Sequence, residues 1–297
     1  VDAVLHWHPS SSNAANAESS NSNKSAIFRF TGISAHAAGS PHQGRSALDG
    51  VEAMNMMVNM MREHIPQESR IHYVITKGGL APNVIPDLAE VYYYVRHPRR
   101  EKVQEIFEWV VEAAEGAAIG TQTDVTYEVM HGNYSKLPNQ TLQKVMHKNL
   151  LLRGGIQYSQ AEHEYAKKIH QTLISPGSKI GDQENIRPYS TSHTYGSTDV
   201  GDVSWVVPQA GLRTDTWVPG TAGHSWQGVA AGGTSITADR ATQLVISIGG
   251  VIQEPDTAFT VSGSTINFTG PPPSGASFFG IVLGDTLDIG APSDATV

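Results

Sequence analysis

Apolar and polar residues alternate in Phe28-Arg29-Phe30-Thr31, the period of a half-buried strand, and the pattern extends back to Ala26. Downstream the period lengthens. Ala47, Val51, Met54, Met57, Val58 and Met61 recur at three- and four-residue spacing, which predicts a helix from about Arg45 to His64 with one apolar face. Ile71–Lys77 and Glu90–Arg96 are rich in β-branched and aromatic residues and predict two more strands. Val103, Phe107, Val110 and Ala114 share one face of a second helix over Glu101–Ile119, and Asp124–Met130 predicts a fourth strand. Strand-helix-strand-strand-helix-strand is the ferredoxin-like split βαβ order. The methionines at 54, 56, 57, 60 and 61 read as core and interface filler.

The chain on either side reads differently. Val1–Leu5 predicts a short buried strand ending in His6-Trp7-His8-Pro9, and ligands of open α/β sheets gather beyond such carboxyl ends. Ser10–Asn23 is Ser, Asn and Ala with almost no apolar bulk, the composition of a hinge. After Gly132 the α/β pattern returns. A helix is predicted from Pro138-Asn139 to Gly154-Gly155, and Ser159-Gln160-Ala161-Glu162 is a capping box for another, to about Leu173. A Gly/Ser/Pro-rich loop, Ser175–Tyr195, leads to Ser197-Thr198-Asp199, which reads as a helix cap, and Asp202 follows it. Leu212–Val218 predicts a strand, and His224 lies in a Gly-rich turn. Past Ile236, short strands are predicted at Leu244–Ile248, Ala258–Val261, Thr265–Phe268 and Phe278–Leu283, a small all-β unit.

At 297 residues the chain has room for two or three domains. A net charge of -8 argues against a nucleic-acid partner held through phosphates. No apolar run is long enough to span a membrane. The absence of cysteine excludes disulfides and thiolate metal sites and suits a cytoplasmic location. Thirteen histidines leave imidazole as the natural metal donor. The first residue is Val1, already inside a predicted strand, so the chain reads as beginning within a larger protein.

His36 stands between Ala35 and Ala37 in a small-residue turn, held where something bulky could approach it. By itself it reads equally well as a turn histidine bonded to a nearby carbonyl. Ser34-Ala35-His36-Ala37-Ala38 followed by Gly44-Arg45-Ser46-Ala47-Leu48-Asp49 resembles the lid of the peptidase M20 family of metal-dependent amidohydrolases, and the resemblance runs from Val1 to about Ile236. It implies an α/β catalytic-domain fragment (1–22 and 132–236) with an inserted ferredoxin-like α+β lid, βαββαβ (23–131), followed by the small all-β module (237–297). It also implies cleavage of an amide bond in an N-acyl or aminobenzoyl amino acid by water activated between two divalent metals, zinc or manganese. Partners would be a small amide substrate bearing a carboxylate and a second lid, in a homodimer or heterodimer.

Residue by residue, the resemblance makes His36 the oxyanion donor reaching into a partner subunit. Asn83, in Ala81-Pro82-Asn83-Val84-Ile85-Pro86, would hold substrate, and Arg96 would take its carboxylate. Asn83 alone also reads as a turn residue, and Arg96 as a strand-end charge. His224, in Gly223-His224-Ser225-Trp226-Gln227, matches the family's last metal histidine. The earlier metal ligand is His6 or His8: the wider family's Leu-His-x-Trp-Pro favours His6, and one branch's Trp-His-Pro favours His8. The remaining ligands, the bridging carboxylate and the Glu pair with the general base are expected upstream of Val1, so the chain as written reads as inactive. Ile248–Pro255 and Pro273–Phe279 resemble repeated modules of bacteriophage tail-fibre proteins. The alternative reading is therefore a virion structural or adhesion protein carrying a captured hydrolase segment.

Overall fold

The structure, a computed structural model, describes residues 1–232 and, beyond them, short strands within 244–282. In chain order the elements are β1 (Val4–Ser10), β2 (Ala17–Ser19), β3 (Ser22–Thr31), α1 (Ala47–Met61), β4 (Arg70–Lys77), β5 (Leu88–His97), α2 (Arg100–Thr121), β6 (Asp124–Asn133), α3 (Gln140–Arg153), α4 (Gln160–His170), β7 (Thr191–His193), α5 (Val200–Ser204), β8 (Gln209–Asp215), α6 (Trp226–Gly232) and β9 to β13 (Leu244–Ile248, Val251–Gln253, Phe259–Ser262, Thr265–Phe268, Phe278–Val282). They fall into two compact units: Val1–His8, Asn13–Gly154 and Ile186–Arg213 form the first, and Pro9–Ser12, Gly155–Asn185 and Thr214–Val297 the second. The expected lid, 23–131, thus shares the first unit with the flanking α/β segments.

In the first unit β4-β5-β3-β6 make a four-stranded sheet whose neighbours are all antiparallel. This is the ferredoxin-like order, with the first and third strands of the motif in the middle. The alternation in β3 places Ala26, Phe28 and Phe30 against α1 and α2, where they are fully buried with Val91, Tyr93 and Val95 of β5, Val51, Met54 and Val58 of α1, and Phe107 and Val110 of α2. Each of the Val, Met and Phe side chains among them contributes roughly 1.5–3 kcal/mol of apolar burial. Ser46 caps α1, its side chain accepting from the Asp49 N–H at 3.2 Å. Gly50 lets α1 lie against the sheet, since a Cβ there would collide with the Phe30 ring. Of the methionines, Met54 and Met61 are core, whereas Met56, Met57 and Met60 are exposed. The helical spacing puts Met57 on the buried face. Its side chain instead reaches the rim, with Cε 3.2 Å from where a Cβ on Gly116 would lie.

Several expectations are corrected. Ser10–Asn23 is not a hinge: it contains β2 and the start of β3, and Ala15, Asn21 and Ser22 are buried. Small side chains allow the backbone to bury, and the amides supply its hydrogen bonds. The Asn21 side chain donates to the Tyr195 carbonyl at 3.1 Å and accepts from His193 Nε2 at 2.9 Å, while Ser19 Oγ meets His193 Nδ1 at 2.8 Å. Val1–Leu5 is not a buried strand. β1 runs Val4–Ser10 and, among the described residues, pairs only with β8; Val1 and Leu5 are exposed, and both histidines lie inside the strand instead of beyond its end. The strand expected at Leu212–Val218 begins earlier, at Gln209. Within Ser197-Thr198-Asp199 it is Thr198 whose Oγ1 takes the Val200 N–H at the start of α5, while the Asp199 side chain makes no capping bond and Asp202 accepts from the Tyr134 N–H at 2.7 Å.

In the second unit the capping box forms as predicted: Ser159 Oγ accepts from the Glu162 N–H and the Glu162 carboxylate takes the Ser159 N–H at 2.7 Å. Ala166 and Ile169 of α4 pack with Val218 and Ala231. β10-β9-β13 form one antiparallel sheet and β11-β12 a hairpin, close to the predicted strands. Much of 237–297, including most of the tail-fibre-like wording, lies outside the described residues.

Candidate functional site

Residues paired in register share a face of the sheet. On the face turned away from α1 and α2 this produces two polar rows at one end: Arg70, Arg96, Asn23 and Asn133, then His72, Tyr94, Ser25 and His131. A cavity of about 450 Å³ opens over them and is closed by Ser197, Asp199 and Asp202 from the segment leading into α5. Three of its side-chain atoms are buried without a hydrogen-bond partner: Asn23 Oδ1, Arg96 Nε and Ser197 Oγ. Buried polar atoms are ordinarily satisfied, so a cavity edged by three orphans has hydrogen bonds to offer. The Arg96 guanidinium lies 5.2 Å from the Tyr94 ring centre, and the Tyr94 and His131 rings are 5.2 Å apart. Burial, then Arg96 and Arg62 nearby, push the His72 pKa down and keep that ring neutral.

His36 lies beyond the other end of the sheet. The β3–β5 ladder continues past Leu88 as an isolated bridge between His36 and Val84, and the Ala37 N–H donates to the Asn83 carbonyl at 2.9 Å. His36 is exposed, and its Nδ1 accepts from the N–H groups of Ala38 and Gly39 at 3.2 and 3.0 Å. Those bonds place the remaining proton on Nε2, which is left as the ring's donor. The structure therefore brings His36 and Asn83 together and separates both from Arg96. Leu88 to Arg96 alone is ~26 Å of strand at the usual rise.

The candidate metal ligands are placed as follows. His6 and His8 stand two residues apart in β1 and so share a face. His6 Nε2 donates to Gln209 Oε1 at 3.0 Å, and its ring covers Gly211, where a Cβ would collide with it. Burial pushes the His6 pKa down, and Lys136 adds to that, so Nδ1 of a neutral ring carries the lone pair. His8 is exposed. His224 belongs to the second unit, exposed in the turn before α6 with φ of 58°, a left-handed conformation uncommon outside glycine and frequent at functional positions. Among the described residues no three His, Asp or Glu side chains are gathered as a metal centre. The residues present do not by themselves fit the metal pair that the resemblance implies.

Sequence reasoning missed the cavity's other walls. Asn23 reads as hinge, Tyr94 as a strand residue, and His131 falls just past the predicted fourth strand, which the structure extends to Asn133. The available signal is the outward alternation Tyr92-Tyr94-Arg96, three large polar-tipped side chains on one face of a strand.

Residues 19–122 match the family described as the peptidase dimerisation domain, M20_dimer. The chain is 38% identical over 262 residues to one of the subunits of p-aminobenzoyl-glutamate hydrolase from Escherichia coli K12, covering 80% of this chain and 54% of that one. It is 29% identical over 209 residues to the Xaa-Arg dipeptidase of Mus musculus, covering 70% and 42%. The chain spans about half the length of the curated relatives it matches. Among solved structures, an aminobenzoyl-glutamate utilization protein from Klebsiella pneumoniae overlays with a TM-score of 0.47 at 16% identity, covering 72% of this chain and 50% of that one. AtUAH in complex with glyoxylate overlays at 0.50 and 12% identity, covering 71% and 45%.

Proposed function

We propose that this chain is part of an amide hydrolase that cleaves an N-acylated amino acid and works as a pair of chains joined through the sheet-and-helix lid. One observation carries the reading: His36 sits on an exposed turn with Nδ1 occupied by two backbone donors, which leaves Nε2–H as the ring's donor, and the next residue, Ala37, bonds the Asn83 carbonyl. A fixed neutral donor is what a developing oxyanion requires. The same lid carries the match to the dimerisation domain, and the E. coli relative is itself one subunit of a p-aminobenzoyl-glutamate hydrolase.

The chain's own residues divide the work. His36 Nε2–H donates to the oxygen of the scissile carbonyl as it gains charge, and Asn83 holds the substrate beside it. Arg96, with Nε buried and unpartnered, takes the substrate carboxylate. One chain cannot bring His36 and Arg96 to one small substrate, since most of β5 separates them. If both act, His36 and Asn83 of one chain meet Arg96 of another, and two chains are needed for one site. A divalent metal, zinc or manganese and two per site, belongs to this proposal, and His8 or His6 and His224 are the donors this chain would bring.

The test is hydrolysis of p-aminobenzoyl-glutamate and of acylated amino acids by the intact protein supplied with zinc or manganese, followed by product separation. His36→Ala should lower kcat about 10²- to 10³-fold with the fold intact. Metal content measured on His8→Ala, His6→Ala and His224→Ala variants tests the ligands independently of turnover. Absence of cleavage of any acylated amino acid by the complete enzyme, with the remaining ligands and the general base present, would end the reading.

A further inference from the structure

We infer that the cavity over Asn23 and Arg96 receives an amino-acid portion carrying one carboxylate and a basic side chain, and disfavours one carrying two carboxylates. The inference rests on the proposed role of Arg96 as carboxylate anchor and adds what that role leaves open, the identity of the side chain.

The charges of the cavity are unequal. Arg96 is its cation, and its guanidinium forms no ion pair among the described residues. Asp199 and Asp202 line the same space, and among the described residues neither meets a cation: Asp199 accepts from Thr198 Oγ1, and Asp202 from the Tyr134 N–H. A first carboxylate satisfies Arg96. A second would then face two exposed carboxylates that make no ion pair among the described residues, whereas an ammonium or guanidinium would neutralise them.

An independent observation places a ligand N–H in the same space, without choosing between side chains. Asn23 is 5% exposed and lines the cavity, and its Oδ1 has no partner. A carbonyl oxygen only accepts hydrogen bonds, so it is completed by an N–H of a ligand and not by an ionised carboxylate. About 450 Å³ lies within the range of small-molecule sites.

The test uses three probes that share an α-carboxylate and differ in side chain: Nα-acetyl-lysine, Nα-acetyl-norleucine and Nα-acetyl-glutamate. Binding to the intact, metal-free protein is measured by titration calorimetry, for wild type, Arg96→Ala and Asp199→Asn/Asp202→Asn. Acetyl-lysine should bind at least about tenfold more tightly than acetyl-glutamate. Arg96→Ala should weaken all three probes. The double asparagine variant should abolish the lysine preference and leave acetyl-norleucine unchanged. Because Asp202 also holds the Tyr134 N–H, Asp199→Asn alone serves if the double variant melts early, and it should reduce the preference. Acetyl-glutamate binding as tightly as acetyl-lysine, with Arg96→Ala still weakening both, overturns this inference and leaves the carboxylate anchor standing. A lysine preference that survives the asparagine variants also overturns it. Binding indifferent to Arg96→Ala removes the anchor and the inference together.

Discussion

Gly39 presents its backbone N–H to Nδ1 of His36 at 3.0 Å, and Ala38 adds a second at 3.2 Å. The turn thereby selects one tautomer of an exposed ring before any ligand arrives, which is the preorganisation that an oxyanion donor needs.

That selection can be observed without turnover. In protein labelled with ¹⁵N-histidine, two-bond proton–nitrogen correlations at neutral pH should assign His36 to the Nε2–H form. A dominant Nδ1–H form would contradict the hydrogen bonds of the turn.

Gly50→Ala should destabilise the lid by about 1 kcal/mol, measured by denaturant melting. A helix-interior alanine gains up to ~1 kcal/mol over glycine, while crowding a packed core costs ~1–3 kcal/mol. Here the added Cβ would meet Phe30, a fully buried ring with nowhere to move, so crowding wins. A stabilised variant would show that helix and sheet stand further apart than this contact requires.

Glu90 links three strands. It is 7% exposed, accepts from Thr76 Oγ1 and Arg29 Nε at 2.8 Å each, and lies 3.6 Å from Lys77 Nζ. Burial alone would push its pKa up, but the hydrogen bonds from Thr76 and Arg29 and the Lys77 charge outweigh it, and the net shift is downward. A depressed folded pKa contributes stability above the unfolded value of about 4.3, and that contribution is lost as pH falls through the folded value. Wild type should exceed Glu90→Gln by about 1 kcal/mol at pH 7. The gap should narrow below about pH 4. A gap that does not change with pH would exclude Glu90 as its source.

Asn21→Ala should cost about 2 kcal/mol, because it breaks the bond to the Tyr195 carbonyl and leaves His193 Nε2 unpaired. Thermal melting reads this directly. A variant as stable as wild type would return Ser10–Asn23 to the status of a loose connection.

Local pattern sufficed for the lid. The two-residue alternation of Phe28 and Phe30 and the helical spacing of Val51, Met54 and Val58 each act within a few residues, and each stands where the sequence puts it, as does the Ser159–Glu162 box in the second unit. His36 and Asn83 were also legible as separate motif residues. Their contact was not, because main-chain groups continuing the β3–β5 ladder make it between two turns far apart in sequence. The misread segments have the same origin. Asn21 and Asn23 look like hinge residues because polarity in sequence says nothing of burial, and only the tertiary structure supplies the strands and the Tyr195 and His193 partners that make burial tolerable. The cavity was decided there too. Register across four strands sets Arg96 beside Asn23, and the distant segment 197–202 closes it, and no periodicity along one strand encodes which polar atoms end without a partner.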